Sequence, residues 1–116
     1  GSFKEAEELC REALKICSDL AEKNSDAYLP YLARSCNNLA YLLSDIGSFK
    51  EAEELYREAL KIRRNLAEEN PKVSLPKLQL VCDNLTALLE KTGRREEADS
   101  LRREVAEFYQ KQLAQQ

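Results

Sequence analysis

Apolar residues recur along the chain with the period of an amphipathic α-helix. From Leu29 onward they follow the i, i+3, i+4, i+7 spacing, at Leu32, Ala33, Cys36, Leu39, Ala40 and Leu43. This spacing places them on one helix face, because an α-helix turns once in about 3.6 residues. Four other segments carry the same kind of stripe and begin at Phe3, Phe49, Leu75 and Ala98. The pattern predicts five amphipathic helices and no strand.

The chain also repeats itself with a period of 46 residues. Residues 1–46 are identical to residues 47–92 at 27 of 46 positions, and the first 22 residues match their counterparts at 18 positions. A shorter third copy begins at Gly93. A repeat of this length without strands indicates stacked pairs of helices, in which each apolar stripe is buried against its neighbours. The predicted fold class is therefore all-α, an antiparallel helix-pair solenoid.

Glycine and proline mark the predicted helix ends. Gly47 and Gly93 follow the apolar stripes of the helices before them. They suit the left-handed backbone that closes a helix, because glycine has no Cβ to clash there. Pro30 and Pro76 are predicted to lie in the first turn of their helices, where an N–H donor is not needed.

These boundaries predict one array over residues 1–116. It consists of an unpaired second helix at residues 1–23, a full repeat at 27–69, and a repeat at 73–114 that ends in a polar capping helix. The chain contains no Met, so we expect a fragment, a processed chain or an expression product. Whether Gly1-Ser2 is vector-derived stays open, since Gly47-Ser48 repeats the pair inside the chain.

Charge and hydropathy narrow the choice of partner. The net charge of −3 argues against a nucleic-acid surface, which needs an excess of Lys and Arg on one face. Three arginine pairs lie among glutamates and are predicted to occupy solvated helix faces: residues 63–64, 94–95 and 102–103. No apolar run approaches the 18 or more residues that a membrane-spanning helix needs, so no membrane partner is expected.

The cysteines do not form a recognisable site. Cys10, Cys17, Cys36 and Cys82 show no C-x-x-C spacing, and the chain has no His to complete a zinc site or a Cys–His dyad. We expect buried, reduced thiols in a cytoplasmic protein, with disulfide pairing as the alternative. No metal, cofactor or catalytic residue is predicted.

Eight positions carry a resemblance to the tetratricopeptide repeat family: Leu39, Ala40, Leu43, Gly47, Phe49, Ala52, Tyr56 and Ala59. The segment CNNLAYLLSDIGSFKEAEELYREALKI is most similar to the longer repeats of kinesin light chains. The resemblance implies a right-handed superhelix whose concave groove holds a peptide, without catalysis. The 46-residue period exceeds the family's usual repeat of about 34 residues. Arg95 and Arg102 stand where aromatic residues are expected, which fits a terminal capping helix.

The resemblance also assigns the groove-lining positions, which are Arg34, Asn37, Tyr41 and Ser44 and, one repeat later, Leu80, Asp83, Ala87 and Glu90. Spacing alone supports the first set, because i, i+3, i+7 and i+10 share one helix face. Such side chains suit peptide binding, since an amide can pair with a bound backbone and a tyrosine adds flat apolar area. The alternative is that they bond only neighbouring helices or water.

Two functions follow from these features. The first is a protein- or peptide-binding scaffold. The alternative is an assembly element, such as a homo-oligomer, because the first helix lacks a partner and would expose an apolar strip at Phe3, Ala6, Cys10 and Ala13. An enzyme is the weakest interpretation, because without His a Ser or Cys nucleophile lacks its ordinary base.

Overall fold

The computed structural model describes residues 2–115, and these form five helices without a strand. The helices are α1 (Ser2–Lys23), α2 (Ser25–Asp45), α3 (Phe49–Glu69), α4 (Pro71–Lys91) and α5 (Arg95–Ala114). Gly1, whose origin the sequence leaves open, lies outside the described residues. The prediction of an all-α fold built from consecutive packed helices is confirmed.

Very short links join the helices. Asn24 is the single residue between α1 and α2. Its N–H donates to the Leu20 carbonyl at 2.9 Å, and its side-chain oxygen accepts from the Ala27 N–H at 3.3 Å. One residue therefore ends α1 and caps α2. Links this short favour antiparallel neighbours.

Gly47 and Gly93 close α2 and α4 with left-handed backbone, at φ of +87° and +81°. The Gly47 N–H donates to the Ser44 carbonyl at 3.2 Å and the Ser48 N–H to the Leu43 carbonyl at 2.8 Å. This pair of bonds is the Schellman motif, which satisfies carbonyls at the end of a helix. The same two bonds form at Gly93, so the predicted role of both glycines is confirmed.

The prediction for Pro30 and Pro76 is wrong. Both lie inside their helices, at the sixth residue and not in the first turn. The helices begin earlier than the apolar stripes indicated, at Ser25 and Pro71. Each proline removes one helical hydrogen bond, to the carbonyl four residues before it, and the helix continues through this loss.

The structure divides into two compact units, with the boundary inside α3 between Ile62 and Arg63. In the first unit α1 packs on α2, and the buried side chains are Ala21, Ala33, Cys36, Leu39, Ala40, Leu43, Ala52, Tyr56, Ala59, Leu60 and Ile62. In the second unit α4 packs on α5. The buried apolar side chains there include Leu75, Leu78, Cys82, Leu85, Leu89, Ala98, Leu101 and Val105. The stripes predicted on α2, α4 and α5 are thus largely buried.

The nearly identical helices α1 and α3 differ in burial. Ala59 is 0% exposed and Ile62 is buried, whereas their counterparts Ala13 and Ile16 are exposed. Tyr56 lies on the same face of α3 as Ala59, and it is close enough to α2 for Tyr41 to affect its pKa. The face of α3 that carries Tyr56 and Ala59 is therefore buried, while on the equivalent face of α1 Cys10 is half-buried and Ala13 is exposed.

Replacing Ala59 by leucine is expected to lower the free energy of unfolding by about 1–3 kcal/mol, because a larger side chain must be forced into a packed contact. Ala13→Leu alters the same hexapeptide, REALKI, on an exposed face. Its effect should stay within about 0.5 kcal/mol. Urea unfolding followed by far-UV circular dichroism measures both variants. Equal effects would contradict the different burial of the two helices.

One arginine pair is not solvated as predicted. Arg63 is buried, with 6% of its surface exposed, and Arg64 is half-buried with its guanidinium carbon 5.0 Å from the centre of the Phe108 ring. The prediction relied on the charge of sequence neighbours. Arg63 instead lies on the helix face of Ala59 and Ala67, both fully buried, because residues four apart stack on one face.

Candidate functional site

The groove positions predicted on α2 share one face of that helix, which is called the outer face from this point on. Of the four positions predicted there, Arg34 and Tyr41 are exposed, and Asn37 and Ser44 are half-buried. Tyr41 has 57% of its surface exposed. The four positions lie on one helix at three- and four-residue intervals, away from the face that carries Leu39. The structure therefore brings this set together on one surface.

An aromatic cluster extends this surface toward the start of α2. The guanidinium carbon of Arg34 lies 5.5 Å from the centre of the Tyr31 ring. The rings of Tyr28 and Tyr31 are 6.3 Å apart and inclined by 48°. A cation over a ring face and tilted ring pairs are both attractive arrangements. Together they fix Arg34 beside flat apolar surface, which is a suitable contact for a peptide.

Sequence reasoning missed this cluster, although a signal was present. Tyr28, Tyr31 and Arg34 follow one another at intervals of three residues. Side chains at that spacing are neighbours on a helix surface. The groove positions that the family resemblance assigns begin at Arg34, so Tyr28 and Tyr31 lie outside them.

Tyr41 is exposed and lies close enough to the buried Tyr56 of α3 to affect its pKa. Burial raises the pKa of the Tyr56 phenol to about 12, and the nearby Tyr41 and Asp45 contribute to that rise. Tyr41 thus presents an exposed ring close to a buried one.

The corresponding face of α4 belongs to the second unit and has different chemistry. Asp83, Ala87 and Glu90 are exposed, as is the apolar Leu80. Glu90 accepts a hydrogen bond from Arg102 Nη2 of α5 at 2.6 Å. This bond raises the pKa of Arg102, but an exposed pair of this kind contributes little to stability.

Asp83 also has a partner within α4, since its side-chain oxygen accepts from Gln79 Nε2 at 2.9 Å. Both acids of this face are therefore engaged by neighbouring side chains. Leu80 and Ala87 present the apolar surface between them. This face offers apolar contact where the face of α2 offers aromatic rings and an arginine.

The apolar strip predicted on α1 is present, with a different centre. Phe3 and Ala13 are exposed, while Ala6 and Cys10 are half-buried. The largest exposed apolar side chains on the helix are Leu9, at 67%, and Phe3. Ile16 is also half exposed, and the predicted exposed strip includes neither Leu9 nor Ile16. Their seven-residue spacing, two helix turns, was the available signal.

An exposed ion pair links α1 to α3. Arg11 Nη1 and Nη2 donate to the two carboxylate oxygens of Glu51 at 2.7 and 3.0 Å. The same contact holds the pKa of Glu51 below its usual value. A bidentate contact of this geometry orients both side chains.

The four cysteines are free thiols. Cys36 and Cys82 are buried, which confirms that part of the prediction, but Cys10 and Cys17 are only half-buried, so for them it is wrong. Burial raises the pKa of Cys36 and of Cys82 to about 11. Thiols with raised pKa values are poor nucleophiles near neutral pH, because the thiolate is the reactive form.

Metal-ligating side chains do not converge among residues 2–115. No group of three or more His, Cys, Asp or Glu side chains in this range is arranged to hold a metal ion. No helix in the described part of the chain has the length and apolar character that crossing a membrane requires.

Comparison with known families identifies the central part of the chain. Residues 32–71 match the family model described as "Tetratricopeptide repeat". The match runs from within α2 through the whole of α3 to the first residue of α4, and it confirms the family predicted from the sequence. No curated protein and no solved structure matches the chain significantly. The likeness to kinesin light chains stays a prediction.

Proposed function

Because the chain carries a tetratricopeptide repeat, a kind of repeat that typically mediates contacts between proteins, we propose that it binds a protein or peptide through the outer face of α2. It performs no catalysis in this proposal. Repeats of this family are typically non-catalytic, and the buried thiols have pKa values unsuited to nucleophilic attack. A cytoplasmic location, in which free thiols persist, belongs to the same proposal.

The observation that carries the proposal is the exposed group formed by Tyr31, Arg34 and Tyr41. Tyrosine and arginine are enriched where proteins bind one another, because each combines a large apolar area with a polar end. Here the three side chains lie on one helix, and Arg34 is already positioned over a ring. Asn37 adds an amide beside them that could pair with a bound backbone.

The internal repeat supports separate roles for the two faces of this helix. On the covered face Leu39 and Leu43 recur as Leu85 and Leu89. On the outer face all four groove positions change between the copies: Arg34 to Leu80, Asn37 to Asp83, Tyr41 to Ala87 and Ser44 to Glu90. Leucines that stay the same on the covered face, beside side chains that change on the outer face, favour two binding surfaces of different chemistry, one on α2 and the other on α4.

The test uses peptides selected on the immobilised chain from a random display library. Binding of a selected peptide should weaken at least tenfold in the variant Asn37→Ala/Tyr41→Ala, because the variant removes an aromatic ring and an amide from the contact. A tenfold loss corresponds to about 1.4 kcal/mol of binding free energy. Fluorescence anisotropy measures the affinity. Circular dichroism of the variant should stay that of the unchanged chain, since both positions lie outside the core.

Tyr109→Ala/Gln110→Ala is a matched control, because it also removes one phenol and one amide but acts on α5. It should leave the affinity unchanged. Equal affinity of the unchanged chain and the α2 variant would remove this face from the function.

A second candidate function is assembly through α1, and the exposure of Phe3, Leu9 and Ile16 favours it. Contiguous exposed apolar surface commonly marks an interaction site. Sedimentation velocity over a hundredfold range of concentration tests for self-association through this strip. A chain that stays monomeric over the whole range would exclude a homo-oligomer. Contact with a different protein would then be the remaining role of this strip.

A further inference from the structure

The exposed residues in the last two-thirds of α2 form a single stripe. Between residues 31 and 45 the exposed positions are Tyr31, Arg34, Asn38, Tyr41 and Asp45. They follow one another at intervals of three and four residues, which keeps them on one helix face. Arg34 and Asp45 are the two charged members, so the stripe carries a cation near one end and an anion at the other. We call this set the bipolar stripe.

Both charges of the bipolar stripe are available to a partner. Arg34 contacts the Tyr31 ring, but the guanidinium has no hydrogen-bond acceptor among residues 2–115. The carboxylate of Asp45 likewise has no hydrogen-bond or ion-pair partner among these residues. On α4, by contrast, Glu90 is already paired with Arg102. A partner of α2 can therefore offer two new charge contacts.

The helix fixes the separation of these two charges. Arg34 and Asp45 are eleven residues apart, which corresponds to about 16 Å along a helix that rises about 1.5 Å per residue. The guanidinium lies beside Tyr31, three residues nearer the start of the helix, so the separation increases to at most about 21 Å. A single bound side chain cannot reach both ends, so a partner needs two charges at this separation.

An extended chain supplies that separation with few residues. Six residues of extended backbone span about 20 Å, at roughly 3.3 Å per residue, and an even number keeps both side chains on the same side. Tyr41 lies about 6 Å before Asp45 along the helix, which corresponds to about two extended residues. A helical partner would need a longer ordered segment, and helices shorter than about 12–15 residues are only marginally stable in water.

We propose that the bipolar stripe selects an extended segment of a partner protein with an acid and a base six residues apart. This proposal rests on the proposed binding role of the outer face of α2. The acid pairs with Arg34 and the base with Asp45, and an apolar side chain two residues from the base covers the Tyr41 ring. Complementary charges of this kind determine which partner binds and in which register.

The second copy shows that this selection belongs to α2 alone. Leu80 and Lys91 occupy the positions of Arg34 and Asp45 in α4. The cation near the start of the stripe is thus replaced by an apolar residue, and the acid at its end by a base. A segment that fits the bipolar stripe therefore meets repulsion at Lys91 and finds no partner for its acid at Leu80.

The first test uses two fluorescent seven-residue peptides of serine and alanine that carry glutamate, leucine and lysine. One has glutamate first, leucine fifth and lysine seventh, and the other has the reverse order, because the charges fix the spacing and not the chain direction. Fluorescence anisotropy should show saturable binding of at least one. Peptides of the same charge with the acid and base four or eight residues apart should bind at least threefold more weakly.

The second test exchanges the charges of the stripe. The variant Arg34→Glu/Asp45→Arg keeps the net charge and alters two exposed side chains, so its circular dichroism should not change. It should bind the peptide at least tenfold more weakly and should prefer a peptide in which glutamate and lysine have changed places. Glu12→Lys/Lys23→Glu is the matched control, because it exchanges exposed charges eleven residues apart on α1. It should leave both affinities unchanged.

The outcomes separate this proposal from the function on which it rests. Absence of binding by both peptides would overturn the charge selection, as would an unchanged preference in Arg34→Glu/Asp45→Arg. A library-selected peptide that loses affinity in Asn37→Ala/Tyr41→Ala but not in the exchanged chain would also overturn it, while the binding role of α2 would stand. Unchanged affinity in both variants would contradict the two proposals together.

Discussion

Shortening Leu39 to alanine is expected to lower the free energy of unfolding by about 2–5 kcal/mol. Leu39 is completely buried in α2, so the change removes apolar contacts and leaves a cavity in the core of the first unit. The midpoint of urea unfolding, measured by far-UV circular dichroism, should fall while the slope stays unchanged. Leu85→Ala, at the equivalent position of the second copy, should behave in the same way, since Leu85 is also completely buried.

Leu9→Ala is the control for this prediction. It removes the same atoms from an exposed position of another helix, so its effect should stay within about 0.5 kcal/mol. Comparable losses from Leu9 and Leu39 would contradict the assignment of the α2 stripe to the core.

The second large effect is a loss of stability at alkaline pH. Burial raises the pKa of Cys36 and Cys82 from 9.0 to about 11. At a pH between about 9 and about 11, the unfolded chain has released the protons of both thiols, whereas the folded chain still holds them. The unfolded state then binds fewer protons, so stability falls as the pH rises. The protonated thiols make their full contribution to the free energy of unfolding below about pH 9, and this contribution is lost by about pH 11. It amounts to roughly 2–3 kcal/mol per thiol.

Urea midpoints at about pH 7.5 and about pH 10.5, on either side of the thiol pKa of the unfolded chain, measure this dependence. In Cys36→Ala/Cys82→Ala the two thiols are absent, so the midpoint should fall less between the two pH values. Part of the fall should remain, because the pKa of Tyr56 is raised to about 12 as well. A pH dependence identical to that of the unchanged chain would show that the two thiols are not buried in the folded state.

Local features of the sequence predicted most of the fold. The spacing of apolar residues predicts the helices, because these side chains must avoid water on one helix face. Gly47 predicts the end of α2, because few other residues tolerate left-handed backbone. These signals lie within a few residues of one another. The start of α2 was predicted too late, because Asn24 caps the helix ahead of its apolar stripe.

The candidate site was predictable only in part. Arg34 and Tyr41 were found from a family motif and their common face, whereas the ring contact of Arg34 depends on a side chain that the motif does not include. Burial was harder still. Ala13 and Ala59 lie in the same hexapeptide, and their different exposure is set by the neighbouring helices and not by their own sequence. Arg63 was misjudged for the same reason.

The proposed interaction surface is tested most directly by backbone NMR of the chain titrated with a selected binding peptide. Backbone amide shifts should change along the outer face of α2, at Arg34, Asn37 and Tyr41. They should also change at the neighbouring Tyr28 and Tyr31. Shift changes confined to α5, with the outer face of α2 unaffected at saturation, would contradict the account.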